Sequence, residues 1–264
     1  MNKIFNEECF ITLDNMIGAN YKIDLVMTSP FYNTGRSSSS HTSERARNNH
    51  EGRYDVHLDA MTDEEYLDFT VDLFNRFDKV IKENGCVLYN ISYGSENTHL
   101  MWLTIADIIR RTSFTVADDI IWKKSSALPN NVSPNKLTRI VEHVFVFCRK
   151  DEFKTFHANK QVKSQSKTGQ NYYENIFNFV EARNNDGANK LNKATYSSEM
   201  CSKVINIYAK PNSIIYDPFM GTGTTAISCL ELGHQYIGSE ISSAQCEFAQ
   251  ERIENFTKSS GQAV

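Results

Sequence analysis

The segment Asp217-Pro218-Phe219-Met220-Gly221-Thr222-Gly223-Thr224-Thr225-Ala226 constrains the fold more than any other stretch of this chain. It joins an apolar strand, Ser213–Asp217, to a helix that reaches Leu232. Gly221 and Gly223 let the backbone turn sharply and approach a ligand, while the helix start offers free N–H groups. The next strand, Tyr236–Ser239, runs into Glu240, 23 residues after Asp217. An acidic residue at that place can accept hydrogen bonds from both ribose hydroxyls of an adenosine. The chain stops about 24 residues past Glu240. The remaining strands of any doubly wound sheet must therefore come from the N-terminal half, in circularly permuted order.

Two other uses of such a loop compete with nucleoside binding. Gly221-x-Gly223-x-x-Ala226 fits the G-x-G-x-x-A form of the dinucleotide fingerprint, but that fold needs several more strands after the motif. A purely structural glycine turn is the other. A P-loop is excluded, because no Gly-Lys-Ser/Thr follows the glycines. Nucleoside binding accounts best for strand, loop, helix and acidic strand end together.

Patterning elsewhere points to an α/β fold. Ile23–Met27 reads as a buried strand ending in a loop at Thr28-Ser29-Pro30. Thr62 starts a helix, Glu65 completes a capping box, and Tyr66, Phe69, Leu73, Phe77, Val80 and Ile81 line one face until Asn84-Gly85 closes it. Further strands are expected at Cys86–Ile91, Val116–Trp122 and His143–Cys148, and helices at 98–111, Ser198–Ala209 and from Ser242. Residues 33–60 and 123–140 read as loops, and periodicity fades from Asp151 to Lys193. Alternating strands and helices imply a mainly parallel sheet covered on both faces.

The loop Thr28-Ser29-Pro30-Phe31-Tyr32 follows its strand and so lies at the carboxyl end of the sheet, where open α/β folds bind ligands. Its chemistry suits an amine whose lone pair is delocalised into an aromatic ring. The Ser29 side chain and the Pro30 carbonyl could accept the two N–H bonds, drawing the nitrogen towards sp³ geometry. Tyr32, with Phe31 beside it, offers an aromatic face for a base swung out of a helix. Alone, these residues could form an ordinary turn.

Together the two motifs resemble those of S-adenosylmethionine-dependent DNA amino-methyltransferases. Thr28–Tyr32 is similar to the family's catalytic D/N/S-P-P-Y/F motif, and Asp217–Thr225 to its F-x-G-x-G cofactor motif. The catalytic motif comes first by about 190 residues, the arrangement of the family's β group. Asp119–Lys124 looks like its strand and W-x-K segment. The resemblance implies a Rossmann-like seven-stranded sheet in permuted order. Residues 1–124 would be the catalytic half, 125–193 an irregular target-recognition region, and 194–264 the cofactor half. Carried over by position, Ser29, Pro30, Phe31 and Tyr32 form the catalytic loop. Thr28, Asp217, Phe219, Gly221, Gly223, Thr224, Thr225 and Glu240 serve S-adenosylmethionine. Two departures stand out: Phe31 replaces the second proline, and Lys193-Ala194-Thr195-Tyr196-Ser197 only loosely matches the family's H-x-T-x-K-P-like stretch, which weakens the expectation of cofactor contacts there.

Serine at the first motif position favours N4 of cytosine over the alternative, N6 of adenine. C5-cytosine chemistry needs a cysteine nucleophile, normally after a proline, and none of the six cysteines follows one. Protein-glutamine methyltransferases carry their N-P-P-Y loop after the cofactor motif, the reverse of the order here. A non-catalytic DNA- or cofactor-binding module with the same fold is the rival from another class.

Composition adds bounds. The 264 residues are 40% apolar and 23% charged, enough for one sizeable core. No apolar run has transmembrane length and the N-terminus lacks a signal-peptide pattern, so a cytoplasmic protein without a membrane partner is expected. Cys9, Cys86, Cys148, Cys201, Cys229 and Cys246 form no C-x-x-C pair and read as packing residues, with no metal site. The net charge of −4 argues against a nucleic-acid partner, but its distribution does not. Lys123 to Lys167 holds ten Lys or Arg against three Asp or Glu, and Asn33 to Tyr54 four Arg against two Glu. These cations, with Arg36, Arg45, Arg47 and Arg53, are expected to contact the phosphates of double-stranded DNA; solvated loops are the alternative. A homodimer and a cognate restriction nuclease are left open as partners.

Overall fold

The computed structural model describes residues 2–31, 33, 61–93, 97–127, 129–131, 134–186 and 195–260. The strands are β1 (Lys3–Phe5), β2 (Ile23–Thr28), β3 (Ile81–Ile91), β4 (Phe114–Lys124), β5 (Val141–Arg149), β6 (Val162–Gln165), β7 (Asn171–Tyr173), β8 (Phe179–Ala182), β9 (Ile214–Asp217) and β10 (Gln235–Ser239). The helices are α1 (Cys9–Gly18), α2 (Asp63–Val80), α3 (Leu100–Arg111), α4 (Ser198–Tyr208), α5 (Thr224–Glu231) and α6 (Ser243–Ser260).

Eight strands form the main sheet in the order β1-β10-β9-β2-β3-β5-β4-β8. The expected seven are joined by an eighth, β8, which pairs in parallel outside β4. From β1 to β3 every pairing is parallel, and β5 runs antiparallel between β3 and β4. The permuted order is realised: β9, β10 and β1 step away from the centre in one direction, β2 and β3 in the other. The order therefore reverses between β9 and β2, and a ligand crevice is expected outside their carboxyl ends.

Both faces are covered, as near-continuous apolar strands require. Leu25, Met27, Cys86, Leu88, Val144 and Val146 pack with Met200, Val204, Ile227 and Ala249 of α4, α5 and α6. On the other face Val26, Val87, Tyr89, Phe145 and Phe147 pack with Leu13, Phe74, Phe77, Met101 and Ile108 of α1, α2 and α3. All six cysteines are free and buried in this packing; burial pushes the Cys201 thiol up to about 12.

The Thr62 capping box is present: Glu65 N–H donates to the Thr62 hydroxyl at 3.2 Å, and Thr62 N–H to the Glu65 carboxylate at 2.8 Å. The far end of α2 differs from expectation. The helix stops at Val80, and Asn84-Gly85 lies within β3 instead. Pairing of β2 with β3 jumps from Ile23↔Ile81 to Leu25↔Cys86, so residues 82–85 bulge, with Asn84 at φ 56°. β1 and α1 were not evident in the sequence pattern.

The stretch 125–193 divides between the two ends of the sheet. Its first part leaves β4 and returns at β5 on the carboxyl side, where Lys123 pairs with Val141. Its later part starts from the end of β5, which is antiparallel and so lies at the amino side. There Asn159 N–H donates to the Ile207 carbonyl at 2.7 Å and Phe156 stacks on Tyr208, rooting the β6–β7 hairpin near the end of α4. Lys160, Lys163 and Lys167 are exposed on or beside this hairpin.

One cation of the basic stretch is misplaced by a charge count. Arg149 does not face solvent: its guanidinium donates to Asp78 Oδ1 at 2.5 Å, to Glu152 Oε1 at 3.0 Å, and to the carbonyls of Asp78, Ile81 and Lys82. It is 14% exposed and holds α2 and β3 to β5. Replacing Arg149 with Met strands Asp78 and Glu152 and should cost about 3 kcal/mol, read as a lower Tm. An unchanged Tm would mean that the cluster contributes nothing.

Candidate active site

The carboxyl ends of β2 and β9 meet at one carboxylate. Asp217 has no exposed surface, and each of its oxygens takes two donors. Oδ1 accepts from the Thr28 hydroxyl at 2.9 Å and from Phe219 N–H at 3.0 Å. Oδ2 accepts from the Tyr196 hydroxyl at 3.2 Å and from the Thr225 hydroxyl. Burial pushes the Asp217 carboxyl above its ordinary value, and these four donors pull it back. The network ties the strand before Ser29 to the glycine loop across 189 residues of sequence.

The loop itself follows its composition. Gly221 has φ 54° and Gly223 φ 86°, the left-handed region that side chains disfavour. A Cβ on Gly223 would also sit 3.1 Å from the Ala249 Cβ. Glu240, at the end of β10, is 8% exposed. Its Oε2 accepts from Gly221 N–H at 2.7 Å and its Oε1 from Ser242 N–H at 2.8 Å. Burial raises the Glu240 carboxyl above its ordinary range, against these backbone donors. A fixed carboxylate beside a left-handed glycine turn fits the ribose and backbone approach of an adenosine-type cofactor.

The residues singled out from the sequence come together with different parts. Ser29 is half-buried and Pro30 buried at the end of β2. Phe31 is turned inward: it is 4% exposed, edge-on to Tyr66 at 5.5 Å and to Phe219 at 5.9 Å, and its carbonyl accepts from the Tyr66 hydroxyl at 2.9 Å. It anchors the loop from beneath. Phe219 is half-buried on Phe31 and Phe69. The hydroxyls of Thr28 and Thr225 are spent on Asp217, and that of Thr224 on Asp186 at 2.5 Å. Asp217 and these three threonines hold the glycine loop through their side chains. Tyr32, Arg36, Arg45, Arg47 and Arg53 lie outside the described residues.

Three contributors were not singled out. Tyr196, in the stretch that matches its family pattern only loosely, is 8% exposed with its hydroxyl on Asp217 and Thr225. Asp186 has a fully buried side chain that takes the Thr224 hydroxyl and Arg252, 2.7 Å away, joining the end of 125–193 to the start of α5 and to α6. Asn33 (φ 44°) donates to the Met61 carbonyl at 2.8 Å and holds the far side of the catalytic loop. Asn184-Asn185-Asp186-Gly187 reads in sequence as a turn. Nothing local marks Asp186 or Tyr196 as internal partners.

Among the described residues no group of His, Cys, Asp and Glu is arranged to hold a metal, and no helix is long and apolar enough to cross a membrane.

A permuted Rossmann-like sheet, with a proline loop and a glycine loop joined at its switch point, defines a nucleoside-cofactor methyltransferase. Residues 23–251 match the family described as DNA methylase, and the chain belongs to that family of S-adenosylmethionine-dependent DNA methyltransferases. The Type II methyltransferase M.BglII of Bacillus subtilis is 22% identical, over 94% of this chain and 68% of that protein. The cytosine-N4-specific PvuII DNA methyltransferase has a similar fold, with a TM-score of 0.67 at 15% identity, covering 97% of this chain and 91% of that one. M1.HpyAVI in complex with S-adenosylmethionine gives a TM-score of 0.61 at 19% identity, covering 96% and 98%.

The Asp217 network makes a measurable demand. Tyr196→Phe removes one donor from a buried carboxylate and should cost about 1–2 kcal/mol, a Tm about 3–6 °C lower. If thermal unfolding is unaltered, Tyr196 is not part of the network's support.

Proposed function

We propose that this chain methylates an exocyclic amine of a base flipped out of duplex DNA, N4 of cytosine in preference to N6 of adenine. The observation that carries the reading is the Thr28–Asp217 hydrogen bond, which sets Ser29-Pro30 beside the glycine loop. When bound, S-adenosylmethionine supplies an electrophilic methyl group on a sulfonium. Glu240 holds the ribose hydroxyls, Gly221 and Gly223 leave room for the cofactor, and Phe219 packs against it. The Ser29 side chain and the Pro30 carbonyl accept the two N–H bonds of the amine and aim its lone pair at the methyl group. Tyr32 stacks on the base. Positioning and electrostatics carry the step.

Serine at position 29 supports cytosine, as does the likeness in fold to a cytosine-N4-specific enzyme. The Type II name of M.BglII supports placing the chain in a restriction-modification pair with a nuclease. Within 125–193, target recognition is assigned to the parts at the carboxyl side of the sheet, 125–140 and the residues that follow β8, because the β6–β7 hairpin is rooted at the opposite side.

The direct test incubates the protein with unmethylated DNA and S-adenosylmethionine and identifies methylated nucleosides by mass spectrometry. N4-methylcytosine is expected; N6-methyladenine would correct the base, and no methylated nucleoside at all would sink the reading. Ser29→Ala should lower methyl transfer about hundredfold with cofactor binding intact; unchanged turnover would remove Ser29 from the mechanism.

The division of charge gives a second test. Neutralising Lys136 and Arg139 should lower the salt slope of DNA binding by about one per residue. Neutralising Lys160, Lys163 and Lys167 together should leave it unaltered. The opposite pattern would place the DNA on the hairpin side.

A further inference from the structure

We propose that Leu137 is a wedge that enters the base stack and holds open the gap left by the flipped base. This rests on the reading of the chain as a DNA methyltransferase acting on an extruded base.

Leu137 is 90% exposed, more than any other large apolar side chain among the described residues; Phe177 follows at 76%. A single exposed leucine is unremarkable by itself. Its setting is not. Residues 125–140 connect β4 to β5 on the carboxyl side of the sheet, the side of Ser29. The loop is pinned across its base: Asn130 N–H donates to the Thr138 hydroxyl at 2.9 Å, and the Asn130 side-chain amide to the Lys136 carbonyl at 3.3 Å. Arg139 donates to the Tyr93 carbonyl and lies over the Tyr93 ring, 5.1 Å from its centroid.

Tyr93 stands two residues beyond the end of β3, the strand beside β2. β5, which the loop leads into, lies two strands from β2, a separation of about 10 Å. Leu137 is therefore exposed on the same side of the sheet as the catalytic loop, on a backbone fixed from both sides. Lys136 and Arg139 flank it and bring cations to the phosphates on either side of the same base step.

Extruding a base breaks two stacking contacts and leaves an apolar gap that water fills poorly. An aliphatic side chain can occupy it, as apolar wedges do where proteins unstack DNA. A pinned loop delivers that side chain without first having to be ordered.

The test uses the full chain and a duplex bearing the sequence that the wild-type protein methylates, located by sequencing treated DNA. Leu137→Ala is a surface change and should leave Tm and S-adenosylmethionine binding unaltered. On the paired duplex its kcat/KM should fall tenfold or more. With 2-aminopurine as the target base, the fluorescence rise on binding should be lost. On a duplex with an abasic site opposite the target base, the variant should come within about twofold of wild type, because that base is already unpaired. Equal activity of the two proteins on the paired duplex would overturn the proposal. An equal loss on both duplexes would also overturn it, by making Leu137 a docking contact. Failure of the wild-type protein to methylate any DNA overturns the functional reading and the wedge with it.

Discussion

The Asp217 carboxylate is the point on which the two halves of the site depend. A fully buried carboxylate is tolerated only when its lone pairs are met by donors. Its four donors come from the end of β2, the stretch before α4, the start of α5 and its own loop. None is a close sequence neighbour apart from Phe219 and Thr225. The strand that ends before Ser29 and the glycine loop are therefore tied to one another. Permuted chain order has little effect on such a site, because what it needs is the adjacency of β2 and β9 in the sheet.

Glu240 lies close enough to Asp217 for the two charges to raise one another's energy, and burial adds to the cost for both. Backbone and hydroxyl donors only partly offset it. S-adenosylmethionine carries a sulfonium and an α-ammonium, and placing cations near buried carboxylates reverses the sign of that interaction. A ligand that binds the folded chain and not the unfolded one also stabilises the fold.

What was legible in the sequence is what is local. The Thr62 capping box, the left-handed glycines and the strand that ends at Glu240 each depend on neighbours a few residues away. What was not legible depends on distant partners. β1 is three residues long and exists because it pairs with β10 at the other end of the chain. Asp186 has the sequence context of a turn and becomes internal only because Thr224 and Arg252 close over it. Phe31, next to Tyr32, has the composition of a stacking platform, yet Tyr66 and Phe69 draw its ring inward. In each case a side chain's role was decided by a partner that sequence spacing does not reveal.

Charge shows the same dependence on partners. The excess of cations between Lys123 and Lys167 is one number in the sequence but three populations in the structure. Lys123 and Lys124 are paired with Glu181 and Glu142, and Arg149 is buried in its own cluster. Lys150, Lys154, Lys160, Lys163 and Lys167 follow β5 at the amino side of the sheet. Lys136 and Arg139 lie at the carboxyl side, on the loop between β4 and β5. A chain of net charge −4 can therefore present cations to DNA where the base must be reached, provided its acidic residues are engaged elsewhere. The division follows from strand direction: β5 is antiparallel, so one sequence stretch feeds both ends of the sheet, and its two ends face different surroundings.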